Sequence, residues 1–225
     1  MNAVIYYSNT LESYRIAKYI SQKTSFGLVD IKNIKGQTFD LIYLVFPVHY
    51  QSVPKCIKPL IKCIKTNKAI LIATYAKMCF GHVLNDVSKL LKAKVIGGAY
   101  VPTKHAYKPD DKSFDNFQLL EPLIARCSSE EEITIPKGQN NIFADFFPLT
   151  RHRLAVKISP NTNCIKCGKC NDVCPFINNG IINNKKCIRC LKCVNSCELK
   201  ALTVKLSSPL KKYINKKRMT KLIVY

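Results

Sequence analysis

Eight cysteines between positions 164 and 197 constrain this chain more than any other feature. They read Cys164-x-x-Cys167-x-x-Cys170-x-x-x-Cys174-Pro175 and then Cys187-x-x-Cys190-x-x-Cys193-x-x-x-Cys197, the same spacing twice. A zinc site usually takes four ligands in two separated pairs, a poor match to three equally spaced cysteines followed by a fourth. A disulfide framework needs an oxidising compartment, and nothing in the chain points to secretion. Three thiolates separated by two residues can wrap one cube of iron and sulfide within a tight loop. The cube's fourth iron faces away and is met from elsewhere. The pattern therefore predicts two [4Fe-4S] clusters. Roughly 55 residues around the cysteines cannot build a large core, so the clusters are expected to act as one.

This half resembles a two-cluster bacterial ferredoxin, in which the fourth cysteine of each run ligates the other half's cluster. The resemblance implies Cys164, Cys167, Cys170 and Cys197 on one cluster, and Cys187, Cys190, Cys193 and Cys174 on the other. The family normally has proline after each fourth cysteine; Pro175 fits, whereas Glu198 follows Cys197. Lys166, Lys169, Lys185, Lys186, Arg189, Lys192 and Lys200 surround the runs, where soluble ferredoxins are usually acidic. Positive charge favours the more negative reduced cluster, raises its potential and steers an acidic partner, within the limits of screening.

The preceding residues read as alternating strands and helices. Apolar runs lie at 3 to 7, Leu28 to Ile31, Leu41 to Phe46, Ala69 to Thr74 and Lys94 to Val101. Helical spacing appears in Leu11, Tyr14, Ile16, Ala17 and Ile20, and again over Pro54 to Ile64 and His82 to Leu91. Near-continuous apolar strands between helices predict an α/β fold with a doubly wound parallel sheet covered on both faces. Ligands of such sheets sit at the carboxyl ends of the strands, which directs attention to loops 8–13, 47–53 and 74–81. The first, Ser8-Asn9-Thr10-Leu11-Glu12-Ser13, sets hydroxyls around a helix start, as suits a phosphate or an ordinary helix cap. The second carries Pro47, Val48, His49 and Tyr50, and the third Thr74 and Tyr75. Two such loops can sandwich a flat ring, or pack their aromatics on their own domain.

Tyr7-Ser8-Asn9-Thr10, Phe46-Pro47-Val48-His49-Tyr50, Ala73-Thr74-Tyr75 and Gly97-Gly98-Ala99-Tyr100 make this half similar to a flavodoxin. With both cysteine runs behind it, the chain resembles the fused flavodoxin–ferredoxin family, sometimes called ferrodoxins. The resemblance implies a flavodoxin-like domain over 1–127, a linker and cover over 128–157, a small α+β two-cluster ferredoxin domain over 158–206 and a basic tail over 207–225. It also implies FMN, with the phosphate in the Ser8–Ser13 loop and the ring between the loops of Pro47–Tyr50 and Thr74–Tyr75. Leu11 stands where that family's phosphate loop has glycine, and Glu12 where asparagine is common.

Elsewhere the sequence says less. Phe114 to Arg126 has helical spacing interrupted by Pro122. Ile142 to Leu149, with Phe143, Phe146 and Phe147, reads as apolar cover between the halves, and Arg151-His152-Arg153 as a solvated turn. Cys56, Cys63, Cys79 and Cys127 read as small buried hydrophobes. The formal charge of +22 falls to about +18 once each cluster with its thiolates contributes about −2. With six Arg among 36 basic residues spread along the chain, this resembles background composition more than a phosphate-binding face, and nucleic acid is not the expected partner. No apolar run reaches the length of a membrane span, and the N-terminus opens without a charged leader, so a cytoplasmic protein is expected. The expected function is electron transfer between FMN, the two clusters and a redox partner protein. The alternatives are a flavin-dependent reductase, with His49, Tyr50 and Tyr75 as candidates over the ring, and a cluster carrier whose sheet domain has lost FMN and serves for docking.

Overall fold

The computed structural model describes the chain except residues 109, 139–147, 184 and 217–218 and the side chains of 148, 149 and 151. The aromatic stretch with Phe143, Phe146 and Phe147 thus lies outside the described residues. The chain divides into two units, Met1–Phe143 with Met219–Tyr225, and Ala144–Arg218.

The first unit is built on a six-stranded sheet. Its strands are β1 (Asn2–Tyr6), β2 (Gly27–Asp30), β3 (Thr38–Pro47), β4 (Lys65–Tyr75), β5 (Lys94–Pro102) and β10 (Ile223–Val224). The first five are parallel in the order β2-β1-β3-β4-β5, and β10 runs antiparallel on the β5 edge. This is an α/β fold with the doubly wound 2-1-3-4-5 order of flavodoxin-like sheets. The order reverses between β1 and β3, so the loops leaving those two strands flank the crevice where such sheets bind ligands.

Alternation along the strands explains why both faces are covered. Ile5, Ile42, Leu44 and Phe46 pack with Ile61 of α2 (Lys58–Cys63) and with Leu84 and Val87 of α3 (Val83–Leu91). Val4, Tyr43 and Val45 face the other way, onto Ile16, Ala17 and Ile20 of α1 (Glu12–Thr24) and Leu123 of α4 (Glu121–Ala125). Each fully buried aliphatic side chain contributes about 1.5–3 kcal/mol, so this double core carries the unit. Gly97 in β5 lets Leu123 pack close, since a Cβ there would stand 3.0 Å from Leu123 Cδ1 and push that side chain back.

Three expectations are changed or sharpened. Pro122 does not interrupt a helix. A 3₁₀ turn over Phe117–Leu120 leads into α4, and Pro122 sits in the first turn, where its missing N–H costs nothing. The residues of the basic tail after 207 carry regular structure. They form α8 (Ser208–Ile214) and then β10, held by Tyr225 N–H to Gly98 O at 2.8 Å, Met219 N–H to Lys77 O at 2.9 Å and Tyr75 Oη–H to Lys221 O at 2.6 Å. Cys56 and Cys63 are exposed and Cys79 and Cys127 only half-buried, so none of the four is the fully buried small hydrophobe expected.

In the second unit, α5 (Pro148–Ala155) leads into β6 (Val156–Pro160), which pairs antiparallel with β9 (Leu202–Leu206). Between them lie α6 (Lys169–Val173), a β7–β8 hairpin (Ile177–Asn178, Ile181–Ile182) and α7 (Lys192–Asn195). The apolar cluster is small: Ile177, Cys193 and Leu202, backed by Ile158, Cys170, Val173, Cys174, Ile182 and Val194. Three cysteines of the runs belong to it. Arg151-His152-Arg153 is helical rather than a turn, and Arg153 Nε donates to Cys187 O at 3.1 Å.

Candidate functional site

The two cysteine runs fold alike. In each, the residues on either side of the second cysteine adopt positive φ: Lys166 (55°) and Gly168 (78°) about Cys167, Arg189 (59°) and Leu191 (61°) about Cys190. Left-handed residues alternating with right-handed ones turn successive N–H groups to one side, the concavity that suits anionic iron–sulfur cores. A short helix then begins at Lys169 and at Lys192. After the fourth cysteine each run closes a turn, Ile177 N–H to Cys174 O at 3.4 Å and Lys200 N–H to Cys197 O at 3.0 Å. Glu198 occupies the place of Pro175 without preventing that turn.

A cavity of about 180 Å³ opens within the second unit, lined by Cys164, Cys167, Cys170 and Cys197. Gly180 forms part of its wall at φ 84°, where a Cβ would stand 3.0 Å from Pro160 and 3.7 Å from Cys164 Sγ. The other four thiols form a second group. Burial pushes the Cys193 thiol up to about 12, and Cys174, Cys190 and Cys187 add to the rise. Burial likewise raises Cys190, with Cys174 and Cys187 among the lesser causes. The buried Cys190 and Cys193 thiols resist becoming thiolates unless a cation lies beside them. Cys197 therefore stands with the first loop and Cys174 with the second.

Among the described residues, no three His, Cys, Asp or Glu side chains stand close enough to hold one metal ion. A single tetrahedral ion draws every sulfur to about 2.3 Å from one centre. A cube instead gives each thiolate its own iron, so its ligands stand further apart. The donor set, eight soft sulfurs in two groups of four, fits two cubes. Backbone N–H groups already reach sulfurs of both runs, among them Arg189 to Cys187 Sγ at 3.4 Å and Ala201 to Cys197 Sγ at 3.3 Å.

The sheet-end loops give a mixed result. Leu11 takes the left-handed backbone (φ 67°) at the head of α1, which has no side-chain cap. The chain thus adopts the backbone form that glycine would ease, and the Leu11 side chain is left exposed. Ser8 Oγ is buried without a hydrogen-bond partner, an orphan that suits an anion at the helix start. Asn9 Nδ2 and His49 Nε2 lie 3.4 Å apart, joining the first loop to the second. That second loop folds tightly: His49 and Ser52 bridge across Tyr50 and Gln51, both at positive φ. Val48 N–H donates to Thr74 O at 2.8 Å, where Pro47 and Thr74 are paired.

Other residues are already engaged. The Ser13 and Thr74 hydroxyls stand 2.8 Å apart, both buried. Glu12 is buried too, accepting from Ser113 Oγ at 3.1 Å and lying 3.6 Å from both Arg15 Nη1 and Lys104 Nζ. Tyr75 does not flank a ligand as expected. It is 1% exposed, packed edge-on against Phe80, because its side chain points into the sheet's apolar face. The orphaned Ser8 hydroxyl fits a phosphate; Tyr75 does not fit a flavin wall, which leaves His49 and Tyr50. Lys104 and Ser113, which meet the Glu12 carboxylate from far along the chain, were not signalled by any local motif.

No protein-family profile and no curated protein matches the chain. Among solved structures, it is similar to a crystal structure described as a "Putative flavoprotein" from Bacteroides uniformis, at 14% identity and a TM-score of 0.37, covering 46% of this chain and 91% of that one. A likeness at that level assigns neither fold nor activity. Among the described residues, no helix is long and apolar enough to cross a membrane.

Proposed function

We propose that this chain is an electron-transfer protein. Its second unit would hold two [4Fe-4S] clusters, on Cys164, Cys167, Cys170 and Cys197 and on Cys187, Cys190, Cys193 and Cys174, and its first unit FMN at the ends of β1 and β3. The observation that carries the reading is the cavity lined by three cysteines of the first run together with the fourth of the second. Bound there, clusters supply one-electron chemistry, and a flavin takes two electrons and releases them singly. The protein's own residues hold the sulfurs. The N–H groups of Arg189 and Ala201 stabilise charge on Cys187 and Cys197, which raises the potential of what they ligate. Ser8 and Thr10 would receive the phosphate, with Lys104 and Arg15 offsetting the charge of Glu12.

A second reading has its own support. Glu12 sets a buried carboxylate at the helix start, Ser13 is committed to Thr74, and Tyr75 lies in the core. These favour a sheet unit without flavin that serves for docking beside a cluster carrier. Anaerobic purification followed by iron, acid-labile sulfide and FMN analysis separates the two. About eight irons with one FMN supports the relay. Eight irons and no FMN after reconstitution leaves the cluster carrier alone, and zinc in place of iron overturns both.

A further inference from the structure

The two cysteine loops share a backbone but not an environment. In the first loop, Ile165 is 71% exposed and Lys166, Cys167 and Lys169 are exposed, with Leu199 (46% exposed) beside them at the cavity's rim. The matching positions of the second loop are covered: Arg189 is 3% exposed and Leu191 5%, while Ile188, Cys190 and Lys192 are half-buried. The cover is specific. Arg189 Nε donates to Val156 O at 2.8 Å and Arg153 Nε to Cys187 O at 3.1 Å, which fastens the second loop to β6 and α5.

We infer that the first loop, with Leu199 and Lys200, is the docking surface for an acidic redox protein, and that the second loop's cluster exchanges electrons only through the first. This rests on the electron-transfer reading above and adds to it the port and the partner's charge. Ile165 and Leu199 provide an apolar centre and the lysines a polar rim, the anatomy of a transient interface. Lys169 is paired with Glu198 at 2.8 Å. Lys166 and Lys200 are exposed and, among the described residues, have no acidic partner. The second unit holds 16 Lys and Arg against three acidic residues, so the charge the sequence seemed to scatter is concentrated here. Such a surface attracts an acidic protein and repels a basic one. In the exchange one electron leaves the reduced first cluster for the partner's oxidised centre, and no bond to a protein atom forms or breaks.

The test uses the full iron-loaded chain, reduced with dithionite and mixed at low salt with plastocyanin as the acidic acceptor or cytochrome c as the basic one. Lys166→Glu with Lys200→Glu is expected to slow oxidation by plastocyanin about tenfold, to leave cytochrome c unslowed, and to lose its effect at high salt. Lys185→Glu with Lys186→Glu makes the same change of charge at exposed residues just before the second loop and should alter the plastocyanin rate by less than about twofold. Equal slowing by both pairs, or by neither, overturns the inference while iron content and spectrum remain intact. A chain that takes up no iron overturns the electron-transfer reading itself.

Discussion

Arg189 Nε donates to the backbone carbonyl of Val156 at 2.8 Å, so a guanidinium that is 3% exposed is fixed inside the loop of the second cysteine run. A cation held there favours the extra electron of a reduced cluster, and burial keeps solvent from screening it. Arg189→Met removes the charge at similar volume. In a chain loaded with the two proposed clusters it would lower the potential of one of them by about 40–90 mV, the one-electron equivalent of about 1–2 kcal/mol. Arg189→Lys keeps the charge and should restore most of the shift. Redox titration followed by electron paramagnetic resonance reads both clusters separately.

That selectivity tests which cysteine serves which cluster. Cys197 lines the cavity of the first loop and Cys174 stands with the thiols of the second loop. Cys197→Ser should therefore disturb the first cluster and leave the Arg189-sensitive signal unchanged. Cys174→Ser should abolish or shift that signal. The opposite pattern would mean that each run supplies all four ligands to its own cluster.

Much of the first unit's sheet was legible before any coordinates. Cysteine spacing is a local signal, and the near-continuous apolar strands from Leu41 to Phe46 and from Ala69 to Thr74 state their burial on both faces directly. What was illegible depends on partners far away in sequence. Glu12 stands where the resembled family commonly has asparagine, and nothing near it in the sequence announced Lys104 and Ser113, which come to meet its carboxylate. Tyr75 looked like a ligand wall because aromatic residues at strand ends serve either purpose. Only the return of Lys221 to accept its hydroxyl shows which. The strand at Ile223–Val224 escaped notice because two residues carry no periodicity; the exposed edge of β5 selects them.

Leu11 offers a test confined to the first loop. A leucine at φ 67° costs roughly 1–2 kcal/mol relative to an ordinary backbone, and its side chain, 65% exposed, recovers little by burial. Leu11→Gly removes the strain but adds chain entropy to the unfolded state of about 0.5–1 kcal/mol. The expected result is a stabilisation of up to about 1 kcal/mol in urea unfolding. If FMN is bound, its affinity should rise or hold, since the loop backbone already has the required form. A loss of stability would show that Leu11 contributes packing not evident from its exposure.

The aromatic core next to that sheet should make the first unit sensitive to alkali. Burial pushes the Tyr75 and Tyr100 phenols each up to about 12, with Tyr225, Asp86 and Cys79 adding to the rise at Tyr100. Below about pH 10 both phenols are neutral whether folded or unfolded, and the contribution to stability is constant. From about pH 10 to 12 the unfolded chain releases these protons while the folded one retains them, so stability falls, by at most about 1.4 kcal/mol per pH unit for each tyrosine. Tyr75 matters most for the C-terminal strand, because an ionised phenol can no longer donate to Lys221 O. Tyr75→Phe should cost about 1 kcal/mol at neutral pH through that lost bond and flatten the decline above pH 10. Tyr100→Phe should flatten it as well, at the added cost of stranding the Leu84 N–H that donates to Tyr100 Oη at 3.0 Å. Urea unfolding followed by circular dichroism at a series of alkaline pH values gives the slopes, and an unchanged slope in Tyr75→Phe would remove this residue from the account.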